Sequence, residues 1–234
     1  MRPVNKGESP YVTINNYKEA LPHLEERIGS YCSYCGLPLV HVPEVEHIVS
    51  KSKEPTLATK WVNLLLGCKY CNARKSNVVS QSNFDDYLWP DIYNTAVAFC
   101  YDYGIPTINE MVLQRIDPTG EASRKAENIF ELIKLEVQDS PKPDRRVLKR
   151  NEAYNEAKLA LERWYRNRNE DMRDQIMASA ISYGFFSIWT TVFADEPEML
   201  HALINAFPGT AKEFFDENGL PKNILERVQE PCAL

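Results

Sequence analysis

The sequence has no uninterrupted apolar run of the roughly 20 residues that a membrane-spanning helix needs. Its opening, MRPVNKGESP, also lacks the apolar stretch of a secretory signal peptide. Neither an internal repeat nor a low-complexity tract is present, and a 44% apolar content is enough to build a core. We therefore expect an ordinary globular protein that is cytoplasmic and does not contact membranes.

An overall excess of positive charge is missing too, because the formal net charge is −6. This argues against a protein that coats nucleic acid by charge alone. The charge is uneven, however: residues 51–79 carry six bases and one acid, whereas residues 170–234 carry eleven acids and four bases. We expect the positive field over 51–79 to lie at the active site and the acidic end to face away from a phosphate backbone.

The six cysteines are the first positive signal. Four of them form two C-x₂-C pairs with 32 residues between the pairs, namely Cys32, Cys35, Cys68 and Cys71. In a reducing cytosol this doubled spacing predicts one tetrahedral structural Zn²⁺ with no open coordination position. The alternatives are two unrelated buried pairs or a redox C-x-x-C, and we expect Cys100 and Cys232 to be a core and a tail residue.

The first half predicts a helix followed by a small strand-and-helix unit. Residues 16–29 have helical apolar spacing and end at Gly29. Between Leu37 and Val49, β-rich residues surround Pro43 and favour two short strands joined by a turn. A helix is predicted from Cys71 to Val79. Residues 38–80 therefore have the order strand, strand, helix.

The second half has mainly helical periodicity. We predict helices at 122–137, 146–168, 171–193, 197–206 and from Thr210 onward. Residues 101–120 are irregular or a small hairpin, and the prolines of 140–144 (SPKPD) favour a linker. The fold class is α+β, with a zinc-stabilised module at 1–90 and a mainly helical region at 91–234.

Polar residues suited to hydrolysis lie inside the loop that the cysteines would close, or directly after it: Glu46, His47, Asn63, Asn72 and Lys75. Phosphodiester hydrolysis needs a base for the attacking water and a cation for the phosphate and the leaving oxygen. The imidazole of His47 can accept a proton at neutral pH, and the oxygens of Glu46 and Asn72 suit Mg²⁺ or Mn²⁺. Adjacent strand residues face opposite ways, so a twisted strand end or a bulge is expected at Glu46 and His47.

Three segments, 46–53 (EHIVSKSK), 61–65 (WVNLL) and 71–77 (CNARKSN), resemble the HNH, or ββα-metal, endonuclease family. The resemblance implies that His47 is the general base and that Glu46 and Asn72 bind the catalytic ion. It also implies that Asn63 braces the loop that positions His47, and Lys75 is then placed to contact the phosphate. The chain has Glu46 where the motif often has Asp, and His41 is an alternative ligand.

The chain as a whole resembles the PtuB-type HNH effectors of the Septu and retron anti-phage systems. The resemblance lies in the order of its parts, which are the opening MRPVNKG, the module with the two C-x₂-C pairs, the DRRVLKR segment and the helical tail. This resemblance implies an ABC/AAA-like ATPase partner. It also implies a DNA or RNA substrate, and a homo-oligomer within such a complex is possible.

Several alternatives stay open at this level. The module could be a non-catalytic zinc-knuckle domain that binds nucleic acid or protein. The bases of 51–79, and the nine bases of 142–168, could contact phosphates or form a solvated face. Trp61 and Tyr70 could cover the zinc site, whereas Trp89, Trp164 and Trp189 are predicted core residues. Residues 170–234 could provide a docking surface.

Overall fold

The fold comes from a computed structural model that describes residues 1–136 and 144–222. The predicted linker, apart from Asp144, and the tail residue Cys232 lie outside the described residues. Within the described ranges no helix has the length and apolar content needed to cross a bilayer.

The described residues contain eight α-helices and four short strands. In chain order they are α1 (Leu21–Ile28), β1 (Glu44–His47), β2 (Leu64–Gly67), α2 (Lys69–Lys75), β3 (Phe99–Asp102), β4 (Ile105–Ile108), α3 (Glu110–Ile116), α4 (Glu121–Leu132), α5 (Arg145–Arg166), α6 (Glu170–Tyr183), α7 (Phe186–Val192) and α8 (Pro197–Ala206). The structure confirms the predicted class, a small mixed unit followed by a mainly helical region.

The first predicted helix is confirmed, with a division near its start. A 3₁₀ turn at Tyr17–Ala20 has a capping box from Asn16, and α1 then begins with a proline in its first turn. Helix α1 ends at Gly29, whose φ of 69° suits glycine. It buries Leu24 against the module that follows.

The prediction of two strands between Leu37 and Val49 is wrong. Only β1 forms in that segment, and it pairs antiparallel with β2, which follows a 3₁₀ turn at Trp61–Asn63. The apolar run at 64–66 is too short to show a period, so the sequence predicts no strand there, yet β2 forms and all four of its residues are buried. The order strand, strand, helix holds because β1, β2 and α2 follow one another.

The second half contains a hairpin of β3 and β4, which confirms the small hairpin that was one of the two structures predicted for 101–120. The short helix α3 after it was missed, and the helix predicted from Thr210 is wrong. Thr210 forms an isolated bridge with Val4, and between Thr210 and Lys222, where the described residues end, the helical structure is a 3₁₀ turn at Lys212–Phe214. The tertiary contact with the N-terminal segment therefore replaces a local capping pattern.

The helix predicted at 171–193 is two helices, α6 and α7. The chain breaks at Gly184, where φ is 70°, and the Phe185 amide donates to the Gly36 carbonyl at 2.9 Å. An added Cβ at Gly184 would lie 2.7 Å from Pro38 and 2.8 Å from the Gly36 carbonyl oxygen. Close approach to the first cysteine pair's loop therefore interrupts the helix.

One cluster of buried apolar side chains runs from Met1 to Phe215. Trp89, Trp164 and Trp189 are buried in it, as predicted. Helix α5 packs on α6 and α7, and α7 packs on β3. Because both halves share this core, the division into 1–90 and 91–234 stays a prediction.

We predict that Gly184→Ala destabilises the protein more than the control Gly120→Ala. Gly120 has φ 79° and ψ 5°, a left-handed conformation that costs alanine about 1–2 kcal/mol, and an added Cβ there meets nothing within 4 Å. Gly184 has φ 70° and ψ −147°, a region that is essentially restricted to glycine, so the backbone strain on alanine is greater there. The crowding at Gly184 adds about 1–3 kcal/mol. Chemical denaturation measures both variants, and equal losses of unfolding free energy would contradict the close approach to Pro38.

Candidate active site

The four predicted cysteine ligands meet in one buried cluster. Their Sγ atoms all lie within 4.8 Å of one another. The Sγ atoms of Cys35 and Cys68 are 3.8 Å apart, close to the spacing of about 3.8 Å that a tetrahedron with Zn–S bonds of about 2.3 Å requires. Cys68 also caps α2, since its Sγ accepts the Cys71 amide at 3.4 Å. The donor set fits a structural Zn²⁺, and the alternative of two separate pairs is wrong.

Arg146 joins this cluster to the helical region. Its Nη1 donates to Cys71 Sγ at 3.3 Å and to the Ile133 carbonyl at 3.1 Å, while Nη2 donates to Asp144 at 2.8 Å. The guanidinium is fully buried and also lies over the Tyr70 ring, 6.0 Å from its centroid. A cation that donates to a thiolate offsets the negative charge of a four-cysteine site.

Glu46 lies at the centre of a buried polar group on the α2 side of β1. Its Oε1 is 2.9 Å from Lys75 Nζ, and its Oε2 accepts a hydrogen bond from Tyr34, which stands between Cys32 and Cys35. Glu46 and Lys75 are 2% and 1% exposed. Burial raises the pKa of Glu46, and Lys75 and Tyr34 counteract that rise.

His47 lies on the other side of the same strand. Its Nε2 is 2.9 Å from the Ala58 carbonyl oxygen, and its ring meets Tyr17 edge to face at 4.6 Å between centroids. The pairing of β1 with β2 is continuous through His47, opposite Leu64. The pairing therefore contains no bulge at Glu46 and His47, and alternation along the strand places the two side chains on opposite faces.

Asn63 has the bracing contacts that the resemblance implied. Its Oδ1 accepts the Val49 amide at 2.7 Å, and its Nδ2 donates to the carbonyls of Val49 at 3.0 Å and Leu57 at 3.2 Å. The side chain thus ties the end of the β1 segment to the residue before Ala58. Since Ala58 contacts His47, Asn63 supports the loop that holds the imidazole.

Asn72 reaches the same strand face as Glu46. Its Nδ2 donates to Glu44 Oε2 at 2.7 Å. Between them lies Gly67, where an added Cβ would be 2.9 Å from Glu46 Cβ and 3.9 Å from Asn72 Cβ. Only glycine at this position lets the Glu46 side chain pack so closely on β2 beside Asn72, and the carboxylate and amide oxygens of these two residues are hard donors of the kind that suit Mg²⁺ or Mn²⁺.

Lys75 is placed differently from the expectation. Its ammonium faces Glu46 in the interior, so direct contact with a phosphate does not fit this arrangement. The reason is the position of Lys75 on α2, one turn after Asn72, where it faces β1. His41, the alternative ligand, is exposed in the loop before β1.

The basic residues near the site divide into two groups. Lys51 and Lys53 are exposed, and Lys51 lies over the Tyr17 ring at 4.4 Å from its centroid. Arg74 is instead 2.6 Å from Asp144. Exposed positive charge is therefore available beside His47, on the loop after β1.

The basic segment 142–168 provides little free charge. Arg146 and Arg150 are buried, and Lys142 lies outside the described residues. Carboxylates pair with four of the six exposed bases, namely Lys149, Arg163, Arg166 and Arg168. The other two, Arg145 and Lys158, are exposed and form no ion pair with the described residues. Most of the predicted charge along α5 is therefore buried or paired, which favours the solvated-helix interpretation.

Three residues that contact the site are not predicted from the sequence. They are Glu44, which contacts Asn72, Tyr34, which contacts Glu46, and Arg146, which contacts Cys71. The alternation Glu44-x-Glu46 on a strand could have indicated Glu44. Tyr34 gave no signal beyond its place inside a knuckle, and Arg146 was counted only as a surface base. Trp61, considered as a cover for the zinc site, donates instead to the Gly7 carbonyl at 2.8 Å.

Comparison with protein families matches residues 32–78 to the family HNH endonuclease. The match covers about a fifth of the chain and contains both cysteine pairs, β1, β2 and α2. No curated protein and no solved structure matches the chain. The chain therefore contains a small HNH domain, which points to a nuclease.

We predict one Zn²⁺ per chain and loss of folding on its removal. Structural zinc supplies about 10–16 kcal/mol of apparent binding free energy, comparable to the whole stability of a domain. Cys68→Ala should lose the metal and the cooperative thermal transition, whereas the control Cys100→Ala should keep both. Elemental analysis and calorimetry test this, and a folded, zinc-free Cys68→Ala protein would refute it.

We also predict that Lys75→Met destabilises the protein by about 3–5 kcal/mol, because Glu46 is left as a buried unpaired charge. Adding Glu46→Gln removes that charge and should restore most of the loss. Denaturant titration of the single and double variants gives the coupling free energy. Additive losses would contradict the ion pair.

Proposed function

We propose that this protein is a metal-dependent HNH endonuclease that hydrolyses phosphodiester bonds of nucleic acid in the cytoplasm. The observation that carries the proposal is the hydrogen bond of His47 Nε2 to the Ala58 carbonyl. A carbonyl oxygen only accepts, so Nε2 must carry the proton. Nδ1 then holds the lone pair and is the atom that takes a proton from water.

The protonation state of His47 supports the same role. Burial lowers the pKa of His47, the Ala58 carbonyl raises it, and the charges of Lys51 and Lys75 lower it further. The net direction is downward, so the imidazole is neutral at pH 7. A neutral imidazole is the form that acts as a general base.

Glu46 and Asn72 would hold the divalent ion beside Gly67. Each carboxylate oxygen of Glu46 already has one partner, since Oε1 is ion-paired with Lys75 and Oε2 accepts a hydrogen bond from Tyr34. Each oxygen also has a second lone pair, which can bind the ion. When bound, Mg²⁺ or Mn²⁺ neutralises charge on the phosphate and on the departing oxygen. Tyr34 and Lys75 act as positioning residues, since they fix the carboxylate.

The separation of His47 from Glu46 across the strand is compatible with this chemistry. In an in-line displacement the attacking and leaving oxygens lie on opposite sides of phosphorus. The general base acts on the attacking oxygen and the cation stabilises the leaving oxygen, so the two groups do not have to be in contact. The exposed Lys51 and Lys53 provide the positive charge that attracts the backbone on the side of His47.

We predict that His47→Ala lowers cleavage of nucleic acid by about 10²–10⁴-fold, the usual contribution of a general base. Purified chain is assayed with Mg²⁺ or Mn²⁺ on labelled DNA and RNA. His201→Ala, far along the chain at α8, is the control and should cleave normally. Equal cleavage by wild type and His47→Ala, or nucleic-acid binding without cleavage under all conditions, would favour the non-catalytic binding module.

The pH dependence gives a separate prediction. The active form of His47 is the free base, and its pKa lies below the ordinary value of about 6.5. Cleavage should therefore be constant near neutrality and fall as the pH falls through that lowered pKa. A kcat/KM profile of wild type measures the acid limb. An acid limb centred above pH 7 would contradict the neutral imidazole.

The biological setting belongs to the same proposal. On the resemblance to PtuB-type effectors, we propose that the chain acts in an anti-phage complex with an ABC/AAA-like ATPase, in which it can be present in more than one copy. An acidic nuclease suits such a partner, because the partner can supply affinity for nucleic acid. Purification of the tagged chain from its host tests this by mass spectrometry and ATPase assay, and a chain that purifies alone and without ATPase activity would oppose it.

A further inference from the structure

Glu44 lies beside the two residues that we propose hold the divalent ion. Side chains alternate along a strand, so Glu44 shares the face of Glu46, over α2. Its Oε2 accepts the Asn72 Nδ2 hydrogen bond at 2.7 Å. Glu44 is half-buried, whereas Glu46 is fully enclosed.

The contact decides which atom of Asn72 is presented to a cation. An amide has a donor nitrogen and an acceptor oxygen on opposite corners of a planar group. A carboxylate only accepts, so Glu44 selects the nitrogen and turns the oxygen of Asn72 away from itself. Metal ions bind the oxygen, so this orientation is the one that a ligand needs.

The two strand carboxylates therefore have different surroundings. Glu46 is held by Lys75 and Tyr34, whereas the contact seen for Glu44 is with the neutral amide of Asn72. Partners of this kind, which orient a ligand without binding the metal, typically change metal affinity by about 10–100-fold when removed.

We propose that Glu44 is a positioning residue for the divalent ion, which acts by holding the Asn72 amide with its oxygen toward the site. This inference rests on the proposed function. It predicts that an uncharged side chain with the same acceptor oxygen can replace the carboxylate.

The test is Mn²⁺ binding to the zinc-loaded full chain, measured by electron paramagnetic resonance of the free ion. Glu44→Ala should weaken Mn²⁺ binding by about 10–100-fold. Glu44→Gln can accept from Asn72 Nδ2 or, turned over, donate to Asn72 Oδ1, so about half of the molecules keep the amide in the orientation for binding the ion. Mn²⁺ binding should then weaken by only about twofold to threefold. In an Asn72→Ala background, Glu44→Ala should add no further loss, because the two residues act as one unit.

Glu25→Ala is the matched control, since Glu25 is a half-buried acid that accepts one hydrogen bond, from Ser30 at 2.8 Å. It should bind Mn²⁺ as wild type does. Zinc content and thermal midpoint are measured on every variant, and Glu44→Gln keeps the test valid if Glu44→Ala does not fold.

Unchanged Mn²⁺ affinity in Glu44→Ala would overturn the inference, as would a Gln variant as weak as the Ala variant or additive losses with Asn72→Ala. If wild type binds Mn²⁺ and cleaves while Glu44→Ala binds normally, only this inference fails. If wild type neither binds Mn²⁺ nor cleaves nucleic acid, the proposed function fails with it.

Discussion

The cluster of four thiols is the constraint on which the site depends. It joins the loop after α1 to the start of α2, across 32 residues that include both strands. Tyr34, between the first two cysteines, reaches Glu46, and Arg146 links the last cysteine to α5. A metal held there fixes the unit from both sides, because a short two-stranded sheet has little stability of its own.

The strand β1 distributes the chemistry between its two faces. On one face Glu44 and Glu46 meet Asn72 and Lys75, while His47 on the other meets Tyr17 and Ala58. The carboxylates and the imidazole are thus held by different neighbouring residues. Each group of neighbours is a buried network, and in a low-dielectric interior such hydrogen bonds and ion pairs keep polar groups in one orientation.

Much of the site could be predicted from local patterns. The cysteine spacing indicated the cluster, and the order Glu46, His47, Asn63, Asn72 indicated the polar residues around it. The pairing of β1 with β2 could not be predicted from the sequence, because four-residue strands are too short to show a period and β2 has no polar residue to mark an exposed face. Lys75 and Arg146 were interpreted as surface charges, since nothing local shows that a basic side chain has a buried partner.

The sequence by itself determined the cluster of four cysteines, the catalytic candidates and the mainly helical second half, because cysteine spacing and apolar period are local properties. Only the tertiary structure decided that Lys75 faces Glu46, that Glu44 holds Asn72, and that the helix breaks at Gly184. Those outcomes depend on which distant backbone comes close. Burial of charge and steric contact between separate segments settle them, and neither is encoded in a single stretch of chain.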